Sequence, residues 1–160
     1  MLGLQPGIND RWHAQRPPIG PLGDITVDAA AFRLDAGIAP PRGQGTNTAS
    51  RLWVRRIGGR QSDQAGHVIA RRFGGSRIFN GPDGNLFPQN PTVNMGYMNV
   101  FDGIAAEKHR EGCDVCVHIA LDYGSPSDMR PHTVLYTYLY RSVGATRFNP
   151  PIGPVQLPNP

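Results

Sequence analysis

Asp63-Gln64-Ala65-Gly66-His67, Asn85-Leu86-Phe87-Pro88-Gln89-Asn90 and the pair Asn94 and Asp102 follow one another in this order. Their residue types suit one chemistry. A histidine directly after a glycine is placed to take a proton from water, and an asparagine opening a helix offers an oxygen to a divalent cation. A carboxylate about two helical turns further on can orient that cation's remaining waters.

These elements, at these intervals, resemble the DNA/RNA non-specific endonuclease family, part of the wider group of ββα-metal (His-Me finger) nucleases. The resemblance covers roughly residues 60 to 140. It implies phosphodiester hydrolysis of DNA and/or RNA, with His67 as general base. Asn85 to Gln89 matches the family's N-x-x-P-Q segment. Val93-Asn94-Met95-Gly96-Tyr97 through Asp102 matches the element that follows, so Asn94 is implied as the ligand of Mg2+ or Mn2+. Asp102 stands where the family has glutamate and is implied to act through water. Asn85 reads as a turn residue ahead of direct ligation.

Ala65 departs from the family, which often carries an arginine two residues before the histidine. Phosphate charge must then be met from elsewhere, and Arg71 and Arg72 are the nearest candidates. They lie in Gly66-His67-Val68-Ile69-Ala70-Arg71-Arg72-Phe73-Gly74-Gly75, which resembles the branch common in secreted bacterial toxin domains. That branch implies an antibacterial effector, a cognate immunity protein as partner, and export to act in the cytoplasm of a target cell.

Composition agrees with a polyanion-binding domain. The 160 residues carry a formal charge of +4, and Lys108 is the only lysine. Arginine grips phosphate in a bidentate way that lysine does not. The length is that of one domain with a real core. No run approaches the 18 or more apolar residues of a membrane span. Met1-Leu2-Gly3-Leu4-Gln5-Pro6 lacks the charged start of a Sec-type signal.

The expected fold class is α+β: a small antiparallel sheet, a ββα-metal core and one principal helix over about 94–110, with proline-rich extended ends. Residues 1–45, with Pro17-Pro18, Pro21 and Pro40-Pro41, are expected as loops with at most one short strand and one helical turn, packed on the domain. The nuclease domain is assigned to 46–147. Within it, Arg51 to Ile57 alternates like a strand, and Asn94 is expected to cap the helix that Gly112 ends. Val93, Tyr97, Val100, Phe101, Ile104 and Ala105 form its expected apolar stripe. Val115–Leu121 and Thr133–Tyr140 read as an antiparallel pair, and 148–160 as an extended strap or disordered tail.

Each residue also has a plainer reading. Asn94 alone is an N-cap, Asp102 alone a solvated carboxylate, and His13, His109, His118 and His132 read as structural or surface groups. Cys113 and Cys116 form a C-x-x-C, which reads as buried strand cysteine ahead of a zinc half-site or a redox pair. The alternative to an enzyme is a catalytically inactive module of the same fold that binds nucleic acid or protein. The loss of arginine at Ala65 favours it.

Overall fold

Asn47 opens the first helix. Its side chain accepts from Ser50 N while the Ser50 hydroxyl accepts from Asn47 N, and Gly59 closes the helix in a left-handed conformation. This reciprocal cap ties down amide donors that an isolated turn would leave unmet. Helix α1 (Thr48–Gly58) therefore replaces the strand expected over Arg51–Ile57. Trp53, Val54 and Ile57, at helical rather than alternating spacing, face one cluster with Ala65 and Leu86.

The structure, a computed structural model, describes residues 11–18 and 22–160, without the side chains of residues 11–13. The expectations for Met1–Pro6, for Pro21 and for the side chain of His13 lie outside the described residues.

Strands β1 (Arg11–Gln15), β2 (Val27–Leu34), β5 (Asp114–Asp122), β6 (Thr133–Arg141) and β7 (Ile152–Pro158) form one antiparallel sheet, in the order β1-β2-β5-β6-β7. The expectation of loops with at most one short strand before residue 45 is thus corrected: two strands lie there, β1 and the 8-residue β2, which pairs with β5. The proline-rich tail is extended, as one reading had it, and β7 pairs with β6. Register puts Phe32 opposite Val117 and Ile119 opposite Tyr136. That face carries Ala30, Leu34, Val115 and Val134 as well, all inside the main core. Burial of this apolar face is the dominant favourable term for such a sheet.

The second sheet is the hairpin β3 (Gln64–His67) with β4 (Leu86–Gln89). Leu86 joins the α1 cluster and its neighbour Phe87 the main core, so alternation along β4 links the two clusters.

After β4 the chain turns helical at Pro91, where a missing N–H costs nothing. The capping role falls to Asn90, whose Oδ1 accepts from Thr92 N at 2.9 Å, so the cap expected at Asn94 lies four residues earlier. Val93–Tyr97 is a π turn, closed by Met98 N donating to Val93 O, and α2 (Met98–Arg110) continues from it. One wide turn shifts every later side chain around the axis. Val93, Met98, Asp102 and Ala105 are buried, while Tyr97 and Val100, expected on the apolar stripe, are exposed. The α+β class is as expected, with two helices in place of one principal one.

Candidate active site

His67 ends β3, one residue after Gly66. A Cβ on Gly66 would lie 2.0 Å from Gln89 Oε1, so only glycine lets the hairpin close there. The ring is held by a loop from further upstream: His67 Nε2 lies 2.9 Å from Gln44 O. A carbonyl only accepts, so Nε2 carries the proton and Nδ1 keeps its lone pair. That loop approaches closely because residue 43 is also glycine, whose Cβ would meet Arg71 O at 2.4 Å. Gly43 N donates to Arg71 O and Gln44 N to Gly75 O. Burial holds the His67 imidazole below its usual pKa; the Gln44 hydrogen bond opposes this and the Arg71 charge adds to it. His67 is therefore neutral at neutral pH.

A cleft of about 610 Å³ brings His67 together with Asn94, Asp102, Arg71, Arg72 and Arg42. Asn94 comes from the π turn, and its Nδ2 donates to Gln64 Oε1 at 2.8 Å. Asp102 projects from α2 and is only 5% exposed, with the buried Tyr136 hydroxyl donating to Oδ1 at 3.2 Å. Burial pushes its carboxyl up to about 7, against the opposing pull of the Tyr136 hydrogen bond and the Arg72 charge. Such a perturbed carboxyl in a cleft is a physical marker of a functional site. The three arginines are exposed and rim the opening.

Several sequence candidates are placed elsewhere. Asn85 is completely buried: Oδ1 accepts from Ile69 N, and Nδ2 donates to Ile69 O and Ser76 O. With both ends of its amide bound to backbone, Asn85 braces the segment after His67, which corrects its place among possible metal ligands. Asp63 is 2% exposed and takes two hydrogen bonds from Arg130, at 2.8 and 3.0 Å. Ala65 packs against Trp53, Val54 and Leu86, so a long side chain at that position would displace the α1 cluster.

His109 Nε2 is bound to Asp35 O and His132 pairs with Asp128. Cys113 and Cys116 are buried free thiols, and burial pushes Cys116 up to about 11. Reasoning from sequence missed Arg42, Gln44, Gln64 and Tyr136. Glycines on both sides of Gln44 were the one visible sign that this loop approaches other backbone closely.

The donors suit a hard cation that keeps most of its water. Among the described residues no group of three or more His, Cys, Asp or Glu could hold a metal ion, which is unlike a structural zinc site. An amide oxygen at Asn94 and a carboxylate at Asp102 in the same cleft are the kind of donors a hard divalent cation takes, with water and phosphate completing its shell.

The chain is 34% identical over 94 residues to a "Probable deoxyribonuclease RhsA" of Dickeya dadantii (strain 3937). That match covers 59% of this chain and 6% of the relative, so the chain corresponds to a small part of that protein. Two structures of NucA from Streptococcus agalactiae share the fold at a TM-score of 0.56 and 14% identity. The form with no metal bound covers 92% of this chain and 71% of NucA; the form with a magnesium ion bound covers 98% and 76%. A family model described as DNA/RNA non-specific endonuclease matches residues 24–141, which extends upstream of the resemblance seen in the motifs to include β2 and α1. By this match the chain belongs to the DNA/RNA non-specific endonuclease family.

Proposed function

We propose that this chain is a metal-dependent, sequence-non-specific endonuclease domain that hydrolyses DNA and/or RNA. The observation that carries the reading is the single cleft in which a neutral His67 with a bare Nδ1 meets Asn94, Asp102 and three arginines. His67 Nδ1 takes the proton from the attacking water, and the Nε2–H bond to Gln44 O holds the ring and its tautomer during the transfer. Arg42, Arg71 and Arg72 draw in the phosphate and offset charge on its non-bridging oxygens. Asn94 Oδ1 would hold Mg2+ or Mn2+ directly, and Asp102 through one of the ion's waters. The bound ion supplies charge neutralisation at the leaving oxygen. Contacts to backbone alone carry little sequence preference.

Support for magnesium includes the NucA structure with that ion bound. The test is incubation with plasmid DNA and with RNA, with magnesium or with chelator. Cleavage only with metal is expected; binding without cleavage would favour the inactive module of the same fold. Asn94→Ala is expected to raise the magnesium concentration needed for half-maximal cleavage. A sharp fall in melting temperature with no rescue by added magnesium would make Asn94 a helix-stabilising residue instead.

The likeness to part of an Rhs protein supports a second layer: an effector domain exported to act in another cell, neutralised by an immunity protein whose acidic face complements the arginine rim. Among the described residues no helix is long and apolar enough to cross a membrane. Expression in bacteria without the neighbouring open reading frame tests this. Wild-type chain tolerated as well as His67→Ala would sink the toxin reading and leave the chemistry open.

A further inference from the structure

An asparagine can present a cation with either end of its amide, and only the oxygen end binds. The ends are nearly identical in shape, so hydrogen-bond partners decide which one faces the cleft. Asn94 has one such partner close by. Its Nδ2 donates to Gln64 Oε1 at 2.8 Å, and Gln64 is the first residue of β3.

Gln64 has the same ambiguity, and it is resolved one step further out. Its Nε2 lies 3.7 Å from the sulfur of Met95. A thioether accepts weakly and cannot donate. The Gln64 nitrogen therefore belongs on Met95, its oxygen on Asn94 Nδ2, and the Asn94 oxygen in the cleft. Polarity is set along three residues from an end that has only one polarity.

We propose that Gln64 is a positioning residue, which orients the Asn94 amide so that Oδ1 faces a divalent cation. The π turn contributes by placing Asn94 and Met95 on successive positions that both reach Gln64. This inference rests on the metal reading above. It adds that metal affinity depends on an acceptor at residue 64, and not on the bulk of that side chain.

Binding of Mn2+ alone, followed by calorimetry or by the loss of the free-ion electron paramagnetic resonance signal, tests it without substrate. Removing a group that orients a metal ligand typically costs ~10–100-fold in metal affinity, and Gln64→Leu is expected to fall in that range. Gln64→Glu keeps an acceptor and is expected to bind Mn2+ at least as well as the wild type. Asn94→Asp offers an oxygen in either orientation, so adding Gln64→Leu to it is expected to change affinity little.

Three results would overturn the proposal. Gln64→Leu could bind as the wild type does, Gln64→Glu could fall as far as Gln64→Leu, or Gln64→Leu could cost the same in both backgrounds, which would mean a merely structural role. Wild-type protein that binds no Mn2+ would overturn the metal reading together with this one, so the two failures are distinguishable.

Discussion

The corner around Asp63 and Asn85 and the cleft around Asp102 and Asn94 contain the same two residue types and use them in opposite ways. Behind β3, Asp63 receives two hydrogen bonds from Arg130, and Asn85 has three backbone partners. In the cleft, Asp102 has one hydroxyl donor at 3.2 Å, and Asn94 is bonded through its nitrogen to Gln64. The corner satisfies its polar groups within the protein and so fixes where the hairpin sits. The cleft keeps polar capacity in reserve, at a cost in desolvation that raises the Asp102 pKa to about 7. The corner settles the hairpin, and the cleft is where we place the chemistry.

The largest expected effect separates the two sides most cleanly. His67→Ala removes the proposed base without touching the corner, and cleavage should fall by at least ~10²–10⁴-fold, the usual scale for such a group. The melting temperature should stay near the wild-type value. Normal cleavage by this variant would end the assignment of His67.

Asp63→Ala probes the other side. It strands Arg130, which is otherwise held by Asp63 and by the carbonyl oxygens of Asn159 and Pro160. Breaking a buried ion pair by removing one partner costs roughly 3–5 kcal/mol. Denaturant unfolding should show a loss of that order, with cleavage per folded molecule and magnesium dependence unchanged. A stable variant with altered metal dependence would place Asp63 in the site and erase the contrast.

What the sequence made legible follows the same division. His67, Asn94 and Asp102 were singled out by their resemblance to the family's motifs, and the structure gathers them into one cleft. Strands β5 and β6 were readable because Val115 to Leu121 and Thr133 to Tyr140 alternate without interruption. Helix α1 was misread because Leu52, Val54 and Arg56 happen to alternate with Trp53, Arg55 and Ile57. The Asn47 to Ser50 cap and Gly59 were the stronger signals.

The π turn left no sequence mark that periodicity can detect, and it moved Tyr97 and Val100 off the buried face. Arg42, Gln44 and Tyr136 reach the site from distant segments. Pairings of that kind are set by tertiary packing, which local pattern does not encode.

The smallest expected effect concerns Asp102 and has the opposite sign to that at Asp63. An acid whose folded pKa is raised above its ordinary 3.8 disfavours the folded state progressively as pH rises from about 4 to about 7, and by a constant amount above that. In the folded protein the charged carboxyl is buried with the Tyr136 hydroxyl as its hydrogen-bond donor, so charge there is a burden when no cation is bound. Asp102→Asn removes the titration and keeps a side-chain oxygen that can accept from Tyr136. In chelator at pH 8 the variant should melt higher than the wild type. The difference should shrink as pH falls through 7 and vanish near pH 4, while metal-dependent cleavage is weakened at every pH. An Asp102→Asn protein that melts lower at pH 8, or by the same margin at all pH values, would show that this carboxylate is as settled in the fold as Asp63.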